Sequence, residues 1–196
     1  MGWHSITSNT GTRTVTGEHG RRLQRIDPSR LSPEQQDVFD RIAGTRGRVP
    51  GPYTVLLHVP ALADRVQSLG AYLRYEGSRD RDLAKFAILV TAHTWASNYV
   101  WNAHEPIARR AGAPDTVIDA ARSGGDSGNM PARFRVVCEY ARDLSLSGSV
   151  SDEVYESAAT LLGIPGVIEL TVLVGYYGLI SMTVNAIDTA AGPEET

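Results

Sequence analysis

The chain has 196 residues, 42% of them hydrophobic, with 19 basic against 22 acidic side chains and a formal net charge of −3. That length suffices for one domain with its own core, and the mildly acidic balance argues against a general nucleic-acid surface, which needs a basic excess. A single cysteine, Cys138, excludes an intramolecular disulfide and a cysteine-rich zinc site, and fits a reducing, cytoplasmic location.

Residues 1–29 are rich in Gly, Ser, Thr and Arg with no periodic apolar pattern and no signal-peptide run, so a loose N-terminal arm is expected. A single folded domain is expected over 30–190, with a short tail at 191–196. The first helix opens at Ser32-Pro33-Glu34-Gln35, where Ser32 caps, Pro33 suits the first turn and Gln35 completes a capping box. Its inward face is Val38, Phe39, Ile42 and Ala43. Glycine and proline in residues 44–52 break it, and an apolar stretch, Tyr53 to His58, follows. Pro60 starts a helix over Ala61 to Tyr75, with Leu62, Val66, Leu69 and Leu73 at helical spacing.

Asp80 to Thr94 reads as a helix that is apolar on all sides from Phe86 to Val90, which predicts a central, buried element. After a weak break at Trp95-Ala96-Ser97, Ser97 caps a helix running to Ala111, and Pro114-Asp115 opens a short one through Arg122. Beyond a glycine-rich loop, helices are expected over Pro131 to Leu146 and Ser151 to Leu162, leading through Gly163 and Pro165 into a long apolar helix. That last segment, Val167 to Ile187, is long enough for a bilayer, but it contains Glu169 and Asn185 and lacks a basic flank. A helix buried within a helical protein or an oligomer is expected instead. No alternating strand pattern competes, so the fold class is all-α.

Three histidines lie in these elements: His58, His93 and His104. Ser97, Val100, Trp101 and His104 share one helical face, a mostly apolar surface carrying one titratable group. Partial burial lowers an imidazole's affinity for a proton, and an aromatic wall holds a flat substrate beside it, which suits general acid/base work. Pro106 removes a backbone bond to the carbonyl of Asn102 and is expected to kink the helix after His104. Lys85 is the only lysine. Glu169 needs a partner inside its apolar helix, and a structural pair with an arginine is expected. Cys138 reads as an inert buried thiol, and no histidine or carboxylate cluster has metal-ligand spacing, so no metal site is expected.

Three segments together, LLHVPALADRVQSLGAYLR from Leu56, LAKFAILVTAHTWASNYVWNAHEPIARRAG from Leu83 and VIELTVLVGYYGLISMTVNA from Val167, resemble the carboxymuconolactone decarboxylase family, which is related to alkyl-hydroperoxidase-D-like proteins. The likeness runs from about Leu31 to Ile187, and its most specific part pairs His93-x-Trp95 with Tyr99-x-Trp101-x-x-His104-Glu105-Pro106. It implies an all-helical fold assembled as homo-trimers or hexamers, with sites near subunit contacts and no organic cofactor. It also implies either decarboxylation of a carboxylated muconolactone or a Cys-x-x-Cys peroxidase with a Glu and a His.

The family histidine corresponds to His104, but the paired cysteines correspond to Ser97 and Val100 and the glutamate to Lys85. Without two thiols no vicinal-disulfide cycle exists, which excludes thiol peroxidase chemistry. The expectation is a cofactor-free lyase, isomerase or cyclase acting on a small cyclic lactone, keto acid or enone. In it His104 transfers protons, Lys85 stabilises negative charge, and His93 orients or shuttles a proton. Tyr99, Trp101, Trp95 and Ser97 shape the pocket. The alternative is a non-catalytic protein that keeps the fold for small-molecule binding or assembly.

Overall fold

The structure is a computed structural model that describes residues 22–23, 26–77, 80–124 and 127–187. Most of the expected arm lies outside the described residues, as do Ser78 and the tail after Ile187. The arm's last residues are tied down: the Ile26 amide donates to the carbonyl of Thr54 at 3.1 Å, and Asp27 caps a short 3-10 turn over Pro28–Arg30.

Helix α1 spans Pro33–Arg46 and starts as its sequence dictates. The Ser32 hydroxyl accepts from the Gln35 amide, the Gln35 side chain accepts from Ser32, and Gly47 ends the helix in the left-handed region at φ 77°. The apolar stretch after it forms a short helix, α2, Gly51–Leu56. Helix α3 spans Pro60–Ala71 and passes directly into a π-helical turn over Tyr72–Glu76, closed by the Gly77 amide donating to the Tyr72 carbonyl five residues back.

The inward face of α3 differs from the one expected. Ala63, Val66, Gln67 and Gly70 are buried, together with Leu73 in the π turn, whereas Leu62 and Leu69 are exposed. Small residues win the inner positions because α3 lies close to its neighbours: a Cβ added at Gly70 would fall 2.1 Å from the Tyr176 hydroxyl oxygen. Arg41 on α1 pairs with Asp64 on α3 at 3.0 Å across the outer edge of this packing.

Helix α4, Arg81–Thr94, is the axis of the molecule and packs against α5 (Asn98–Arg110), α6 (Asp115–Arg122), α7 (Ala132–Ser147) and α8 (Asp152–Ile187). Every residue from Phe86 to Ala92 on it is buried. Phe86 meets Phe134 of α7 edge-on, ring centroids 5.3 Å apart, and burying one such side chain contributes roughly 1.5–3 kcal/mol. The α4–α5 turn is tight: Ala96 takes φ 49°, and the Ser97 amide donates to the Ala92 carbonyl at 2.8 Å. Ser97 stands at the N-cap as expected, but its buried hydroxyl makes no cap bond.

Helix α5 continues through Pro106 to Arg110. The two expected C-terminal helices form one element, α8, broken at Gly163 (φ 69°, ψ 168°) just before Pro165. Among the described residues, α8 is the one helix long and apolar enough to cross a membrane by length and composition. It is not enclosed all round. Leu170, Leu173, Val174, Tyr176, Tyr177, Ile180 and Val184 are buried, while Ile164, Ile168, Val172, Leu179 and Met182 are exposed.

Candidate active site

The inner face of α8 delivers the aromatic pair Tyr176-Tyr177 against α3 and α5. Gly70 leaves the space the Tyr176 ring needs, and the Tyr176 and Tyr53 hydroxyls lie 2.6 Å apart in a buried hydrogen bond. Arg46, at the C-terminal end of α1, donates to the Tyr53 hydroxyl at 2.7 Å and to the Gln67 carbonyl at 3.0 Å, with its guanidinium 4.9 Å from the Tyr53 ring centre. One arm of that guanidinium, Nη1, is enclosed without a hydrogen-bond partner among the described residues. The result is a chain of Arg46, Tyr53 and Tyr176 along one wall of a cavity.

His104 supplies the opposite chemistry. It is buried on α5 and meets Tyr177 edge-on at 4.9 Å between ring centres. Its Nδ1 is enclosed with no hydrogen-bond partner among the described residues. Burial first, then the positive charges of Arg74 and Lys85, push its proton affinity down to a pKa of about 3, so the imidazole is neutral near pH 7. Burial also pushes the Tyr176 and Tyr177 phenols well above their ordinary range, which keeps them protonated donors.

His104, Tyr177, Tyr53, Tyr99 and the arginines at 46, 48 and 74 line one cavity of about 110 Å³, and among the described residues no acidic side chain lines it. Tyr99 has a structural task there as well, its hydroxyl accepting from the Gly51 amide at the start of α2 at 3.1 Å. Arg74 belongs to the π turn. A π turn carries an extra residue relative to an α-helical turn, so it re-aims the side chains that follow it, and such turns recur at functional sites.

The other residues singled out from the sequence lie elsewhere. Lys85 is half-buried in a neighbouring recess that it shares with Arg74 and Arg81 and that His104 does not line. Desolvation, helped by Arg74 and Arg81, pushes its pKa down to about 8. His93 is exposed and lines a cleft with Ser97, Trp101 and Arg122. The expected shared face of α5 is buried throughout, but it consists of two adjacent i, i+4 ridges. Val100 and His104 open on the cavity, Ser97 and Trp101 on the cleft.

Trp101 is fixed by structure: its indole N–H donates to Glu105 at 2.7 Å, Arg122 stacks 5.0 Å from its ring, and Arg109 and Arg122 both pair with Glu105 at 3.0 Å. Trp95 packs on Gly178 of α8, and its carbonyl accepts from Asn185 at 2.7 Å. Glu169 accepts from the Tyr72 hydroxyl at 3.0 Å, where an arginine partner was expected. Cys138 is buried on α7, its thiol pushed up by burial, and does not line the cavity. Among the described residues no group of histidine, cysteine and carboxylate side chains could hold a metal ion.

Sequence reasoning missed Arg46, Tyr53, Arg74, Tyr176 and Tyr177. The Gly175-Tyr-Tyr-Gly178 run inside an otherwise aliphatic helix was the available signal for the last two.

Among the described residues the chain is all-helical without strands, packed around a central α4, and comparison with solved structures assigns it the alkyl-hydroperoxidase-D-like fold. The apo crystal structure of the debrominase Bmp8 matches with a TM-score of 0.62, covering 84% of this chain and 88% of that one at 15% identity. A cysteine-to-alanine variant of Bmp8 in complex with 2,3,4-tribromopyrrole matches with a TM-score of 0.63 at the same identity and coverage. No protein-family model and no curated protein matches the chain.

Proposed function

We propose that this chain is an enzyme that transforms a small organic acid, lactone or enone in the His104 cavity by proton transfer, without a thiol and without an organic cofactor. The observation that carries the reading is the pairing of a buried, neutral imidazole with arginine guanidiniums around one cavity that no carboxylate lines among the described residues. Guanidiniums bind a carboxylate or a developing enolate, and a neutral imidazole both donates and accepts a proton. In a decarboxylation the C–C bond electrons stay with the substrate, delocalise into an adjacent carbonyl beside Arg74 or Arg46, and take up a proton that the imidazole relays from water, donating on one ring nitrogen as it accepts on the other and ending neutral. Isomerisation or ring closure uses the same groups with no loss of carbon dioxide. That Bmp8, which shares the fold, is a debrominase seen with a bromopyrrole supports a pocket for a small ring.

In this reading His104 is the acid/base and Tyr99 and Tyr177 form the pocket wall. Lys85 acts on the imidazole through its charge, and the residues around the cleft, His93, Ser97 and Trp101, hold α5 in place. The test is a screen of cyclic keto acids and lactones with the wild-type chain and His104→Gln, each checked for native helicity by circular dichroism. Turnover lost in the folded variant supports the assignment; unchanged turnover removes His104 from the chemistry.

One observation favours a second reading, in which the cavity binds a small molecule without changing it. An imidazole held near a pKa of 3 is a weak base, better suited to hydrogen bonding than to taking a proton. A tightly bound metabolite released on denaturation, with no exchange of its acidic protons on the native protein, would favour this role.

Self-association belongs to the same proposal. Exposed Ile164, Ile168, Val172, Gly175, Leu179 and Met182 recur at spacings of three and four along α8, the pattern by which two helices pack knobs into holes. Light scattering on the purified chain, compared with Ile168→Lys, tests it, since a homo-oligomer should dissociate in the variant.

A further inference from the structure

We propose that the recess formed by Arg74, Arg81 and Lys85 is a binding site for a small oxyanion, either free or carried at the end of a longer molecule whose other end enters the His104 cavity. The recess holds about 190 Å³, and Gly77 and Ala84 in its lining leave that space clear of bulky side chains. Among the described residues three cationic groups line it and no acidic one does.

The neighbouring His104 cavity, lined by Arg46, Arg48 and Arg74, has the same imbalance, and the two share Arg74. The chain has more acidic than basic residues, so carboxylates are not scarce. Several arginines elsewhere use them: Arg41 with Asp64, Arg109 with Glu105, Arg122 with Glu105, Arg133 with Asp80 and Asp82. Asp80 and Asp82 flank Arg81 in sequence, yet both bond Arg133. Glu169, in the adjoining crevice that shares Leu73, Gly77 and Ala84 with the recess, accepts from Tyr72. No ion pair to Arg74, Arg81 or Lys85 occurs among the described residues, so three like charges converge without a counter-charge of the protein's own.

An oxyanion supplies that counter-charge. It accepts the planar fork of an arginine on two oxygens and the lysine ammonium as a point charge, the combination these residue types serve at carboxylate and phosphate sites. Arg74 also lines the His104 cavity, so an anion in the recess sits one guanidinium away from the imidazole. The inference stands on these charges alone and survives whether or not His104 turns a substrate over.

Lys85 is the only lysine, so reductive methylation with ¹³C-formaldehyde gives a single side-chain dimethylamine signal, still cationic, at the centre of the recess. Inorganic phosphate, acetate and succinate are titrated at constant ionic strength against wild type and Arg81→Gln, an exposed position where the change leaves the fold intact. A saturable shift of the Lys85 signal, weakened about tenfold in Arg81→Gln, is expected. Saturation by phosphate or acetate assigns the site to a free ion. Saturation by succinate alone, with His104 ring signals moving too, assigns it to one end of a longer molecule. A linear shift with every probe, identical in the two proteins, overturns the proposal.

Discussion

The guanidinium of Arg74 and the imidazole of His104 line the same cavity from different helices, and the charge of the first helps to keep a proton off the second. Neither residue is near the other in sequence. The π turn that holds Arg74 and the inner ridge of α5 that holds His104 meet at one cavity with Tyr177 of α8, which packs against the imidazole.

Burial of a neutral His104 has a stability signature. Its pKa falls from 6.5 to about 3 on folding, so above pH 6.5 neither state binds the proton and the full stability is present. As pH drops from 6.5 towards 3 the unfolded chain takes up the proton first, and stability declines by up to about 1.4 kcal/mol per pH unit. Urea unfolding at pH 7 and pH 5 should therefore show a smaller acid-side loss for His104→Gln than for wild type. Equal losses would mean that His104 is protonated in the native state.

Lys85 should react as an amine of unusual acidity. With its pKa pushed down to about 8 by desolvation and then by Arg74 and Arg81, much of it is uncharged at pH 8. Acylation followed by peptide mass spectrometry should give a pH–rate midpoint near that value, and Arg74→Gln should move the midpoint upward. A midpoint in the range of an ordinary lysine would show an ammonium in open water.

Gly70→Ala should disable the cavity wall. The new methyl would stand 2.1 Å from the Tyr176 hydroxyl oxygen and 3.0 Å from Arg46 Nη2, so the phenol must move and the Tyr53–Tyr176 bond must break. Overpacking of this kind costs about 1–3 kcal/mol, readable in chemical denaturation. A smaller loss from Gly70→Ala in a Tyr176→Leu background, which lacks both the hydroxyl and the ring carbon Cζ that the methyl would meet at 2.1 and 2.6 Å, would identify the contact as the cause.

Ala96→Gly should stabilise the chain. Ala96 is the only described non-glycine residue with a positive φ, and it closes α4 where glycine is the usual choice. Relief of the Cβ strain outweighs the extra freedom glycine gives the unfolded chain, for a net gain of about 0.5–1 kcal/mol in thermal or urea unfolding.

Caps and breakers made the helices legible. The Ser32-to-Gln35 box, the run of buried residues on α4 and the Gly163-Pro165 break all stand where local chemistry puts them. The fold class followed from the absence of any competing strand pattern. The face of α3 did not follow, because Leu62/Leu69 and Ala63/Gly70 are both at helical spacing, and only the proximity of Tyr176 decides which pair turns inward.

The site was legible as a histidine and little more. His104 and Tyr99 stand out locally, by an apolar face and a dense aromatic run. Arg46 and Arg74 are two arginines among many, and what distinguishes them is the cavity their helices share with α8, a relation of tertiary packing. Lys85, conspicuous as a lone lysine, lines the recess next door with Arg74 and Arg81, likewise a relation of tertiary packing.

The π turn over Tyr72–Glu76 makes Arg74's direction a matter of counting. An α-helical residue advances the side chain by about 100° around the axis, so deleting one residue ahead of Arg74 in this turn would restore a regular helix and swing Arg74 by that angle. The composition, hydropathy and charge of the chain would scarcely change. The guanidinium would leave both the cavity and the recess, and two neighbouring spaces now joined by one side chain would become electrically independent.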